Sequence, residues 1–238
     1  MTPAFAADLA ADTRDGLAQL WHQRARSESN VHTVFTQLAA DLAATGAHPQ
    51  VVELARRAVD DEARHAASCQ ALAIAYGASA DPVATGPVRL PDYVAEPRLR
   101  AALHAINHCC IGETIACAFV ASCVDACADP ALREIHRDHL ADEIRHARVG
   151  WAHVPTLTAA ERARVAGWLP ELLRAQLAAW ESRIAELPEA GFPGHGYPPR
   201  AALLASVHAA VTDVVLPGFA HVALDASAAA AWYASTRA

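Results

Sequence analysis

The sequence has no lysine; all 19 of its basic residues are arginine. Acidic residues outnumber them at 26, which leaves a formal net charge of -7 and a pI near 6.0. That balance lacks the basic footprint of a nucleic-acid-binding protein and excludes such a partner. Long apolar runs are missing too: no stretch of about 18 uncharged apolar residues marks a membrane span. The opening MTPAFAADLAADTRDG has early acidic residues and no basic segment ahead of an apolar one. It does not read as a signal peptide, so a cytoplasmic location is expected. Disulfide-scaffold spacing is absent. Cys109, Cys110, Cys117, Cys123 and Cys127 crowd one helical stretch with Cys69 apart, and all six are expected as reduced thiols.

What is present is helix. The 238 residues are 53% hydrophobic, and alanine, the best helix former, makes up about a quarter of them. Strand signals are nearly absent, whereas helical periodicity with clear punctuation runs almost throughout. Helices are expected over Thr13–Thr45, stopped by Gly46, and from Pro49 to Tyr76, stopped by Gly77. A crossover holding Pro82, Pro87 and Pro91 leads to a helix over Arg98–Ala128. Pro130 opens the next, which ends near Val154. Thr158 and Glu161 form a T-x-x-E capping box for a further helix, which Pro170 kinks or divides. PEAGFPGHGYPP, from Pro188 to Pro199, is a loop by composition. One more helix follows, interrupted at Pro217, with a short Ala-rich tail. Two helical hairpins joined by one long connection have the topology of a ferritin-like four-helix bundle. A single all-α domain over residues 1–238 is expected, with residues 14–153 as its core and 154–238 as a C-terminal helical extension.

The chemistry lies in a repeat. D-E-A-R-H-A at Asp61–Ala66 recurs as D-E-I-R-H-A at Asp142–Ala147. One E-x-x-H is a chance event at this composition, but a second copy with five matching residues has a probability on the order of 0.001. Residues i and i+3 share a helix face, so Glu62 points with His65, and Glu143 with His146. Each copy also has an upstream glutamate, Glu28 before the first and Glu113 before the second. Counting along the helices to each turn gives arms of similar length. Four carboxylates and two imidazoles are therefore expected at one level of the core. Isolated buried ions cost many kcal/mol, so such a cluster calls for cations. Two divalent metals held mainly by carboxylate oxygen, with one histidine each, suit iron or manganese better than zinc. Asp61 and Asp142 stand one residue before the ligand glutamates. Across the core, Asp61 is expected to accept the free N–H of His146, and Asp142 that of His65, with Arg64 and Arg145 paired to these aspartates.

Glu28, Glu62 with His65, Glu113, and Glu143 with His146 resemble the di-iron signature of the ferritin-like superfamily, which includes rubrerythrins, ferritins and di-iron oxygenases. His139 adds a third imidazole on the same stripe, giving H-x-x-x-E-x-x-H. In this the chain is similar to the p-aminobenzoate N-oxygenase family, which implies seven metal ligands: Glu28, Glu62, His65, Glu113, His139, Glu143 and His146. The resemblance covers about residues 14–153. It implies two iron ions, with mixed iron–manganese or manganese as alternatives, and an O2-activating oxidoreductase acting on a small organic molecule. Its partners would be that substrate, O2 and an electron donor, with no nucleic acid and no membrane, and a homodimer is compatible with it. The alternative is a ferroxidase or a rubrerythrin-like peroxidase; against the full rubrerythrin form, no C-x-x-C module occurs.

Plainer readings compete with each residue. The repeats would be solvent-facing ion-paired helix surfaces if no metal bound. His139 is either a ligand or a structural neighbour, while His32, four after Glu28, fits a polar core or surface role. Cys69, Cys110 and Cys117 read as packing residues, and Trp21 and Phe35 as core layers. Tyr76 is too far along its helix to ligate, and His195 sits in a turn. In the extension, Trp168, Leu172, Leu173, Leu216 and Phe219 are candidates to line a substrate pocket.

Overall fold

A computed structural model of the chain describes residues 4–7, 9–81 and 87–237. Pro82 of the expected crossover lies outside them. The described residues are all-α and contain no strand beyond isolated bridges. Helix α1 (Ala11–Ala44) turns through Gly46, at φ +73°, into α2 (Pro49–Ala75). Pro97–Ala126 forms a second long helical stretch, made of α3 (Pro97–His104), a π-helical segment (Ala105–Glu113) and α4 (Thr114–Ala126). Helix α5 (Pro130–His153) begins with Pro130 in its first turn, where the missing N–H costs nothing. Its cap is Asp129, whose Oδ1 accepts from the amides of Ala131 (2.8 Å) and Leu132 (3.0 Å).

The helices α1 and α2 pack along each other, as do Pro97–Ala126 and α5, and the two pairs meet along α2 and α5. The apolar core falls into two clusters. One gathers Trp21, Ala25, Cys69 and Leu72, and the other Phe35, Leu38, Ala58 and Val149. Between Ala25 and Phe35 on α1 lies Glu28; between Ala58 and Cys69 on α2 lie Asp61, Glu62 and His65. On α5, His139, Asp142, Glu143 and His146 likewise fall between Leu132 and Val149. A polar layer thus interrupts the core at one level on each helix.

The π-helical segment departs from the regular α-helix expected over Arg98–Ala128. Its wider turns rotate the following residues, and Glu113 is its last residue. Helix α5 approaches it closely at Gly150, where a Cβ would stand 2.6 Å from Cys110 Sγ and 2.7 Å from the Ala105 carbonyl oxygen. Gly150→Ala is expected to cost roughly 1–3 kcal/mol through overpacking against backbone. Chemical denaturation checks this, and an unchanged midpoint would mean that the two helices can separate there.

Beyond α5 the capping box forms, with Thr158 Oγ1 accepting from the Glu161 amide (3.2 Å) and Glu161 Oε2 from the Thr158 amide (2.7 Å). It opens α6 (Ala159–Ala166). Pro170 stands in the first turn of α7 (Leu169–Ala185), so the proline divides the helix. Pro217 does not interrupt as expected. Helix α8 (Arg200–Ala210) runs through a π turn (Val211–Val215) into α9 (Leu216–His221), and α10 (Ser227–Ser235) follows. The π turn supplies the wider backbone that lets the proline continue the helix. The segment Pro188–Pro199 turns on Gly191, Gly194 and Gly196, all at positive φ, and drives Tyr197 into the core, fully buried. By length and composition Pro97–Ala126 and Arg200–His221 are each apolar enough to cross a membrane; the first is more than half buried and carries Glu113. All six cysteines are free thiols.

Candidate metal centre

The E-x-x-H copies on α2 and α5 face each other. His146 Nδ1 lies 3.0 Å from Glu62 Oε1 and 3.1 Å from Glu143 Oε2. His65 Nδ1 lies 3.7 Å from Glu62 Oε2 and 3.7 Å from Glu143 Oε1. Each of these glutamates therefore turns one oxygen to each histidine, the placement of a carboxylate that bridges two centres. Donor atoms of Glu62, Glu113, Glu143 and His146 lie within 4.8 Å of one another, and so do those of Glu28, Glu62 and His65. Glu62 belongs to both groups. All six side chains are buried or nearly so; Glu28, from the middle of α1, is the most open at 12% side-chain exposure.

The outer partners fix the rings. His65 Nε2–H donates to Asp142 Oδ2 (3.0 Å) and His146 Nε2–H to Asp61 Oδ2 (3.3 Å), each reaching across from α2 to α5 or back. Arg64 donates to both aspartates, at 3.1 Å to Asp142 Oδ2. Arg145 pairs with Asp142 and stands 3.8 Å from Asp61 Oδ2. With Nε2 committed outward, each Nδ1 is left for the interior.

Charge is out of balance inside. Burial raises the Glu28 carboxyl to about 7, with Arg24 opposing and Glu62 adding to the shift. Glu113 is raised well above its ordinary value by burial and by its neighbours Glu143 and Glu62. Burial works to lower His146, but its hydrogen bond to Glu143 and its close approach to the Glu62 carboxylate outweigh it and push it up to about 11. His65 is raised by the same balance. Protons occupy the interior where cations would neutralise it. Both Glu62 oxygens and His65 Nδ1 are buried without a well-aligned hydrogen-bond partner among the described residues. Orphaned buried polar atoms of this kind, all oxygen or nitrogen, fit a divalent metal.

His139 belongs to neither donor group, and its Nδ1 is also buried without a partner among the described residues. Its ring stacks on His65, with centroids 4.2 Å apart and planes at 28°. Burial first, then Arg24 and His65, lower its pKa to about 2, so it is a neutral ring. His32 Nδ1 donates to the Val59 carbonyl (2.9 Å), away from the centre. Phe35 and Trp21 are fully buried, and Phe35 packs on His146 at 5.2 Å.

Some neighbours carry no signal in the repeat. Arg24 stacks on Trp21 at 5.1 Å and donates to Glu28 Oε1 (3.3 Å) and to Tyr197 Oη (3.3 Å). Its position four before Glu28 is a readable helix spacing, whereas Tyr197 arrives from a distant loop. A cavity of about 690 Å3 opens on Glu28, Glu62, Glu113 and Glu143. Helix α7 forms one wall with Gln176, Ala179, Trp180 and Arg183. The extension does line a pocket, but Trp168, Leu172, Leu173, Leu216 and Phe219 are not among its lining residues; they pack in the apolar core. His108, from the π-helical segment, also lines the cavity, and its buried Nε2 has no partner among the described residues. No family model matches the sequence, and comparisons with curated proteins and with solved structures give no match.

Proposed function

We propose that the chain is a ferritin-like four-helix bundle holding two divalent metals, iron first, and that it is an O2-activating oxidoreductase for a small organic molecule. The observation that carries this reading is the pair of carboxylates, Glu62 and Glu143, set between two Nδ1 atoms beside a cavity large enough for an organic ligand. Glu28 completes the donor set at His65 and Glu113 that at His146. Metals held there would supply O2 reduction: one oxygen enters the substrate and the other leaves as water, with two electrons and two protons from an external donor. The chain's own residues orient the ligands through Asp61 and Asp142, and the cavity walls limit water.

Anaerobic loading with ferrous iron, followed by labelled O2 and candidate organic compounds, tests the reading by mass spectrometry. Label in an organic product supports it. Accumulation of a ferric core well beyond two irons per chain, with no organic product, would instead establish the ferroxidase alternative.

His139, expected as a seventh ligand or a structural neighbour, stacks on His65 and stands outside both donor groups, which supports the reading as a neighbour. His139→Phe keeps an aromatic ring on His65, and its manganese affinity is expected to stay within about threefold of wild type. A loss of roughly 10-fold or more would restore His139 as a ligand. Metal uptake is also expected to release protons, because Glu28, Glu113, His65 and His146 hold them in the metal-free protein. At pH 7 roughly two or more should be lost per chain. The raised Glu28 pKa favours the metal-free fold below about 4.5 and loses that contribution as pH rises through about 7. Metal-dependent thermal stabilisation should therefore grow between pH 6 and 8 (both about one unit from 7); calorimetry in two buffers of different ionisation enthalpy measures the protons, and no release would contradict the charge balance.

A further inference from the structure

The cavity has a direction. At its inner end Gln176 Nε2 donates to Asn107 Oδ1 (3.2 Å), and a Cβ on Gly112 would stand 3.4 Å from Gln176 Oε1, so this part of α7 sits against the residue preceding Glu113. Gln176, Ala179, Trp180 and Arg183 follow the i, i+3, i+4, i+7 pattern and share one helix face. Trp180 packs on Phe119 with centroids 5.2 Å apart, forming an apolar middle section. Arg183 lies two turns beyond Gln176, about 10 Å along α7, and its guanidinium stands 5.3 Å from the Trp180 ring. Arg183 and Arg26 are both exposed and both line the cavity, where Glu186 is the one carboxylate apart from the four that face the metal centre. The third lining cation, Arg24, is already paired with Glu28.

Carboxylates at one end, aromatic and aliphatic walls between, and Arg183 at the other end sort ligands by shape and charge. An anionic head meets arginine at the mouth, an apolar body covers Phe119 and Trp180, and the far end reaches the carboxylate cluster. We propose that the cavity binds an amphipathic organic monocarboxylate with an apolar body about 10 Å long, its head group at Arg183. Its role as substrate rests on the di-metal reading above; its binding does not. A head group at the mouth leaves the metal-facing end apolar, so the acid would be oriented rather than chelated.

The test uses the manganese-loaded full chain and three probes of equal length: octanoate, octan-1-ol and octylamine. Calorimetry should show octanoate binding roughly 10-fold or more tightly than octylamine. Arg183→Gln should weaken octanoate by a similar factor while leaving octan-1-ol affinity and manganese content unchanged, and Arg183→Lys should recover part of the loss. Trp180→Ala should weaken octanoate and octan-1-ol together. Equal affinity for acid and amine, or octanoate binding indifferent to Arg183→Gln, would overturn the proposal. Manganese content separates the two readings. Chains that bind two metals but no octanoate refute the acid site alone, and chains that bind octanoate through Arg183 without retaining metal refute the di-metal reading alone.

Discussion

Glu62→Gln is expected to abolish stable loading at both positions, because Glu62 is the one side chain shared by the two donor groups. Wild type should take up about two divalent ions per chain, as the two histidine-centred groups require. The variant keeps the shape of the side chain and removes its charge, so its helicity should be unchanged. Its metal-free stability should hold or rise, since one fewer carboxylate is buried beside Glu28, Glu113 and Glu143. The metal-dependent part of stability behaves oppositely. A cation at about 1,000 times its Kd stabilises the native state by ~4 kcal/mol, or about 8–16 °C for a chain of this size. Wild type should show that shift with ferrous iron or manganese and Glu62→Gln should not. A variant that loads and shifts like wild type would remove the bridging role from Glu62.

The second large effect is expected one layer out. Asp142 accepts from His65 Nε2 and also pairs with Arg64 and Arg145, so it both orients the ring and anchors two cations. Asp142→Ala frees the imidazole to rotate and leaves the arginines without their carboxylate. Metal affinity should fall by roughly 10- to 100-fold, with most of the metal still bound at saturating concentration. Asp61→Ala should act in the same direction through His146. Competition against a chelator measures both, and unchanged affinity in both variants would separate these aspartates from the metal-binding role.

The repeated D-E-x-R-H-A made the centre readable because helix periodicity alone puts Glu and His of each copy on one face. Glu28 and Glu113 were readable from their distance to each turn, which antiparallel helices convert into height. The aspartate–histidine crossings follow from the same geometry, since Asp61 and Asp142 occupy equivalent places on facing helices. Other features have no local signature. The π turns at Ala105–Glu113 and Val211–Val215 depend on tertiary packing, here including the close approach at Gly150, which propensity does not encode. Helix spacing puts His139 on the ligand stripe, yet it does not specify whether a ring presents a nitrogen or its face, and here the face lies on His65. The cavity wall on α7 and Tyr197 in the core are long-range contacts, beyond the reach of spacing within one helix.

Diffraction at the iron absorption edge, from crystals grown with ferrous iron under reducing conditions, tests the central claim most directly. Two anomalous peaks are expected, one beside Glu28 and His65 and the other beside Glu113 and His146, with Glu62 and Glu143 between them. Crystals of iron-treated protein with no peak in this layer, or with a single ion held elsewhere, would contradict the di-metal account.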